Sequence, residues 1–140
     1  GSFSLQTPSA AIIFKLQPKH EGYLMFKHTR WQRRWAILDT NNIYIFKNTE
    51  DLKPPSFTLN LNYVAVKKWN KHGEFGFKII ASHGTYSFGV DKELPDREKE
   101  ADCDAWIASI ASVCEALVIS TIGGGDPQSN NNLLTKTYST

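Results

Sequence analysis

The sequence predicts a mainly β domain in which seven short antiparallel strands are followed by one C-terminal α-helix. Segments rich in aromatic and β-branched residues recur from residue 22 to residue 90, separated by turn-forming residues. The hydrophobic period then changes to that of a helix. A chain of 140 residues can bury the core of one domain but is too short for two ordinary ones. Seven strands at this spacing favour an antiparallel barrel or sandwich.

The predicted strands follow one another closely along the chain. They cover residues 22–27, 30–38, 42–47, 56–61, 63–69, 75–81 and 85–90. The segments Asp39–Asn42, Asn70–Gly73 and Ser82–Gly84 contain Asn or Gly, which tolerate the positive φ that tight turns require. The proline pair in Lys53–Ser56 separates the third strand from the fourth, because proline cannot donate to a strand ladder. These segments predict turns between the strands.

The helix is predicted from Leu94 onward. A proline and an acidic run open it, and the positive end of the helix dipole favours carboxylates there. A single apolar stripe follows at spacings of four, three and four, formed by Trp106, Ile110, Val113 and Leu117. Cys103 and Cys114 lie about 16 Å apart along the helix axis, too far for a disulfide between them. Free cysteines are typical of a reducing compartment, so the sequence predicts a cytoplasmic domain.

Charge is distributed unevenly, although the formal net charge is only +2. Residues 19–78 carry 11 Lys or Arg against 5 Asp or Glu, whereas residues 91–115 carry 3 against 8. The domain is therefore expected to have a positive end that attracts an acidic partner. No signal peptide is predicted, and no apolar run approaches the length of a membrane span.

Both ends of the chain are predicted to lie outside the domain. Residues 1–18 form an N-terminal extension, in which Gly1-Ser2 is typical of a cloning remnant and residues 10–16 suit either an extra strand or a segment packed on the domain. Residues 120–140 form a flexible polar tail or linker, because their composition is dominated by Gly, Ser and Asn.

Four segments resemble the pleckstrin homology (PH) domain family. Gly22-Tyr23-Leu24 resembles the family's G-[WY]-L opening, and Trp31–Leu38 its W-x-[KR]-R-[WFY]-x-x-L second strand. Asn42–Phe46 resembles its third strand, and Asp104–Ile110 the tryptophan-bearing part of its closing helix. The resemblance covers residues 19–119. It implies two near-orthogonal sheets curved into a partly open barrel, one end of which is capped by the helix with Trp106 in the core.

The same resemblance implies a phosphoinositide site at the open end of the barrel, which this chain matches in part. The family's motif needs a lysine near the end of the first strand and a [KR]-x-R triplet in the second. Arg34 falls on the arginine of the triplet, but Gln32 stands at its basic position. Phe26 stands at the lysine position, and Lys27 comes one residue later, on the opposite strand face unless a bulge intervenes.

The predicted function is therefore weak binding of phosphoinositides or anionic lipid through the basic hairpin of the first two strands. The candidate lipid- and phosphate-binding residues are Lys27, His28, Arg30, Arg34, Lys47 and Lys53. Cations facing an anionic leaflet contribute about 1 kcal/mol each, which suffices for peripheral membrane binding without a tight pocket. Two alternatives to lipid binding stay open. In the first, Arg33 and Arg34 solvate the strand and pair with surface acids. In the second, the domain is a protein-interaction scaffold within a larger signalling or cytoskeletal protein.

Other functional classes find little support in the sequence. The four histidines lack metal-ligand spacing, and no nucleophile motif or phosphate-binding loop is present, so we predict no enzyme activity, metal site or cofactor. Lys67–Lys71 suits a second anionic contact, a nucleic-acid patch or a solvated hairpin end, and the last is preferred. The isolated domain is expected to be a monomer that binds no nucleic acid.

Overall fold

The computed structural model describes residues 18–50 and 54–122, and within these ranges it contains seven strands and one helix. The elements are β1 (His20–Lys27), β2 (Trp31–Leu38), β3 (Asn42–Phe46), β4 (Phe57–Asn60), β5 (Ala65–Lys71), β6 (Glu74–Ala81), β7 (Gly84–Val90) and α1 (Asp96–Ile122). The predicted fold class and order of elements are confirmed. Of the predicted extension 1–18 and the predicted tail 120–140, residues 1–17 and 123–140 lie outside the described residues, whereas residues 120–122 belong to α1.

All seven strands belong to one antiparallel sheet with the order β4-β3-β2-β1-β7-β6-β5. β1 pairs with β2 along its whole length, from His20 opposite Leu38 to Lys27 opposite Trp31. It pairs with β7 only through its second half, Leu24–Lys27. Because β1 is bonded on both sides, the two halves expected from the family form one continuous hydrogen-bonded sheet.

This sheet curves back on itself. β4 and β7 are four strands apart in the sheet order, which in a flat sheet would separate them by about 19 Å. Nevertheless, the rings of Phe57 in β4 and Tyr86 in β7 have centroids 5.2 Å apart. Phe57 also stacks on Phe26 of β1 at 5.1 Å. The aromatic rings of distant strands therefore meet inside a partly open barrel, as predicted.

The helix packs on β5, β6 and β7 through the predicted apolar stripe. Trp106 is 1% exposed, and Ile110 and Val113 are also buried. The ring of His20 meets Trp106 edge-on at 4.3 Å, and burial lowers the pKa of this histidine despite the opposing charge of Asp102. By length and composition alone α1 resembles a membrane span, but its tryptophan stripe is part of the domain core. The prediction that Trp106 is a core residue is confirmed.

Candidate functional site

The β1–β2 hairpin presents two different faces. Arg34 and Gln32 pair with Leu24 and Phe26, whose side chains are buried, so these residues belong to the inner face of the barrel. Lys27 pairs with Trp31, one position later, on the outer face. The pairing runs from one end of the hairpin to the other without a bulge. Lys27 and Arg34, predicted as members of one cluster, therefore lie on opposite faces of the sheet.

Aromatic rings fill the inner face at the position where the family motif has a lysine. Phe26 stacks on Phe57 at 5.1 Å and on Phe88 at 5.0 Å. Tyr86 continues the stack and meets His83 of the β6–β7 turn at 5.7 Å. A headgroup at this end of the barrel would therefore rest against an apolar stack, with Arg34 as the cation contributed by β2.

The neighbouring arginines of β2 have different partners. Arg33 donates two hydrogen bonds to Asp91, from Nε to Oδ1 at 2.8 Å and from Nη2 to Oδ2 at 3.0 Å. Its guanidinium also lies 3.7 Å from the ring centroid of Tyr23. Burial alone would raise the pKa of Asp91, but the bonds from Arg33 and from the backbone of Glu93, together with nearby positive charges, lower it. Arg33 is therefore a structural residue that ties β2 to the end of β7.

Among the described residues, Arg34 has no such carboxylate partner. Its Nη1 donates to the backbone oxygen of Arg33 at 3.1 Å, and it lies within ion-pair distance of no carboxylate in residues 18–50 and 54–122. Arg33 thus pairs with an acid, as that alternative expected, but the acid is the buried Asp91 and not a surface residue. Among the described residues no carboxylate pairs with Arg34, and a half-buried guanidinium with free donors is suited to an anionic ligand.

The remaining predicted site residues surround the hairpin. Lys27, His28 and Arg30 are exposed at its tip, where the N–H of His28 donates to the Arg30 carbonyl at 3.4 Å. Lys47 is exposed and directly follows Phe46, which pairs with Trp35, so it lies beside the strand position of Arg34. Lys53 lies outside the described residues. The described cations therefore gather near one end of the barrel but on two faces of it.

The outer face carries a second feature, which the sequence reasoning missed. The indoles of Trp31 and Trp69 approach each other with centroids 6.1 Å apart. They cover Gly76 and Gly89, where a Cβ would lie 2.2 Å from Trp69 and 3.7 Å from Trp31, respectively. We call these four residues the outer tryptophan surface. At Gly76 only glycine allows an indole to lie this close to the backbone, whereas at Gly89 the distance is that of an ordinary van der Waals contact.

Lysines surround this surface and line an open groove of about 990 Å³. They are Lys27, Lys71, Lys78, Lys92 and Lys99. Among the described residues that line the groove, Glu74 is the one acidic residue. The sequence drew attention to Lys67–Lys71, but Trp31 is 38 positions before Trp69 and only the strand order brings them together. Gly76 near the start of β6 and Gly89 near the end of β7 were the available signal, since glycine within a strand often marks a close approach.

Comparison with known proteins agrees with this architecture. The family model described as PH domain matches residues 18–115. The solution structure of the PH domain of human oxysterol-binding protein-related protein 11 has a TM-score of 0.58 and 20% identity, covering 77% of this chain and 88% of that chain. No curated protein sequence matches significantly.

Two further similar structures contain inositol phosphates. The Slm1 PH domain in complex with D-myo-inositol-4-phosphate has a TM-score of 0.54 at 17% identity, covering 69% of this chain and 94% of that chain. The C-terminal PH domain of pleckstrin, in complex with D-myo-Ins(1,2,3,4,5)P5, has a TM-score of 0.52 at 19% identity, covering 67% and 95%. At these sequence identities, the similarity shows a shared fold alone.

Proposed function

Because the chain belongs to the PH domain family, whose members are generally non-catalytic modules, we propose that it is a membrane-targeting domain that binds phosphoinositides or anionic lipid weakly through the β1–β2 hairpin. Inositol phosphates bound to the PH domains of Slm1 and pleckstrin support this ligand class. A cytoplasmic position at the membrane periphery, common among PH domains, follows from the same proposal.

The observation that carries the proposal is that Arg34 has no acidic partner among the described residues and lies beside a hairpin tip with further exposed cations. His28 and Arg30 lie in the turn beyond the last residue pair of the hairpin, Lys27 is exposed at the end of β1, and Lys47 follows β3 beside Arg34. Arginine binds phosphate through two parallel bonds, and lysine adds a point charge. The tip would thus contact an anionic leaflet while Arg34 contacts a headgroup.

The expected affinity is low for a structural reason. The family's lysine position is occupied by Phe26, whose ring is stacked between two others, and Gln32 adds no charge on the same face. The inner face therefore offers one arginine where the family motif has three cations. Loosely selective binding, driven mainly by surface charge, is the expected result.

Co-sedimentation of the full chain with phosphatidylcholine vesicles, with and without a phosphoinositide and at two salt concentrations, tests the proposal. The double substitution Lys27→Ala with Arg34→Ala should weaken binding by at least roughly thirtyfold, because the loss of about 1 kcal/mol per cation already gives this factor and Arg34 also loses its phosphate bonds. The matched control is Lys19→Ala with Arg97→Ala, because both cations are exposed and lie away from the hairpin tip. Binding that is unchanged in the double variant and insensitive to salt would contradict the proposal.

A protein-interaction domain is the second candidate function. It is favoured by Phe26 and Gln32, which replace the cations of a tight headgroup site. A purified partner that binds the isolated domain and is not displaced by soluble inositol phosphates would support it.

A further inference from the structure

We propose that the outer tryptophan surface binds an extended acidic peptide of a protein partner, with an apolar side chain of the peptide seated on the two indoles. This site lies on the face opposite Arg34 and goes beyond the lipid-binding proposal, on which it does not depend. It gives the second candidate function a specific surface and a partner chemistry.

The lysines of the outer face are spread over a distance that suits a peptide. Strand pairing places Lys27 opposite Ser87, Ser87 opposite Lys78, and Lys78 opposite Lys67, in one row across β1, β7, β6 and β5. At about 4.8 Å per strand the row is roughly 14 Å long. Lys71 lies four residues further along β5, about 13 Å from Lys67. The cations therefore span about 20 Å of the sheet.

This spread distinguishes the possible anionic ligands. The phosphates of one inositol ring lie within a few ångströms of each other, so a single headgroup would contact only some of these lysines. An extended peptide advances by about 3.3 Å per residue, and six or seven residues would cover the full span. Acidic side chains at both ends of such a segment would reach lysines on different strands.

The charges around the surface are available for a ligand. Lys71, Lys78 and Lys92 are exposed and form no ion pair with any carboxylate of the described residues. In contrast, Lys68, on the other face of β5, bonds Glu100 at 2.9 Å and Asp104 at 2.8 Å. Lys68, which faces α1, is thus neutralised within the fold, whereas most of the lysines around the outer groove are not.

The centre of the groove is apolar. Trp31 is 41% exposed, although its indole has a neighbour in Trp69, and Met25 lies beside it in the groove lining. An apolar centre with aromatic anchors and a charged rim is the usual composition of a protein-recognition patch. The peptide is therefore expected to place a Phe, Leu or Pro between its acidic residues.

Panning a displayed library of random twelve-residue peptides against the full chain tests the proposal. Enriched sequences should contain Asp and Glu on both sides of an apolar residue. Affinity of the selected peptides should fall at least about tenfold in the Lys71→Glu, Lys78→Glu variant, where two attractive contacts become repulsive. Both lysines are exposed, so this variant should fold; circular dichroism and thermal unfolding check it. Trp31→Ala tests the apolar centre. The charge-matched control is Lys19→Glu with Arg97→Glu, because both residues are exposed and neither lines the groove.

Enrichment of neutral or basic peptides, or equal affinity in the Lys71→Glu, Lys78→Glu variant, would overturn the proposal. A further arm measures inositol hexakisphosphate by calorimetry. If it binds tightly and loses affinity in the same variant while no acidic peptide is enriched, the surface is a small-polyphosphate site and the peptide proposal fails. The panning contains no lipid, so its outcome is independent of the vesicle experiment.

Discussion

Truncation of Arg33 and of Arg34 should separate stability from binding, although the two residues are adjacent in β2. Arg33 forms two bonds with Asp91, whereas Arg34 bonds only a backbone oxygen among the described residues. Arg33→Ala should therefore destabilise the fold and leave the inner-face arginine in place. Arg34→Ala should leave the fold nearly intact and weaken the binding of anionic vesicles.

The magnitude follows from the burial of Asp91. This residue is 8% exposed, so removal of its partner leaves a buried carboxylate without compensation. Breaking a fully buried ion pair costs about 3–5 kcal/mol, and the 29% exposure of the Arg33 side chain reduces the expected cost to about 2–3 kcal/mol. For a domain of this size the melting temperature should fall by roughly 10 °C. Arg34→Ala should cost less than about 1 kcal/mol.

Urea unfolding monitored by tryptophan fluorescence measures both variants. The pH dependence provides a second test, because the Asp91 pKa is lowered from 3.8 in the folded state. A depressed carboxyl pKa contributes stability above the unfolded pKa, and this contribution is lost as pH falls through the folded value. Arg33→Ala should therefore flatten the loss of stability below about pH 4. Equal destabilisation by Arg33→Ala and Arg34→Ala would refute the reasoning.

Three further substitutions or reactions test the fold. Gly76→Ala should lower the free energy of unfolding, measured in urea, by about 1–3 kcal/mol or more, because the new Cβ would lie 2.2 Å from both a backbone oxygen and an indole. Gly84→Ala is the control and should be nearly neutral, because its Cβ would have 3.8 Å of clearance. Trp106→Ala should cost about 3–5 kcal/mol in the same assay, and a smaller loss would contradict its core role. Burial raises the thiol pKa of Cys103 and Cys114 to about 11. Alkylation of these thiols near neutral pH should therefore be slow until the protein unfolds. Rapid alkylation of the native protein would contradict the observed packing of α1.

Most of the fold could be predicted from local sequence patterns, and part of the candidate site could be predicted from the alternation of side chains along the strands. Each hairpin has its own turn residues and the helix its own stripe, so both were predictable from nearby residues. Strict alternation also placed Lys27 opposite the face of Arg34, as the structure shows. The pairing of Trp31 with Trp69 was not predictable in this way, because it depends on β7 lying between β1 and β6.

The Arg33–Asp91 bond was missed for a similar reason, since it joins the middle of β2 to the residue after β7. Once that bond is known, the two faces of the hairpin can be assigned separate tasks. On the outer face, Arg33 stabilises the fold, and Trp31 and Lys27 lie beside the lysines of β5 and β6. On the inner face, Arg34 lies next to aromatic rings. Because adjacent residues of a strand point to opposite sides, one short hairpin can serve two ligands without shared side chains except at its tip. Lys27 lies at that tip, so Lys27→Ala should weaken the binding of both vesicles and peptide. Arg34→Ala should weaken only vesicle binding, and Lys78→Glu only peptide binding. Two separate sites require this pattern.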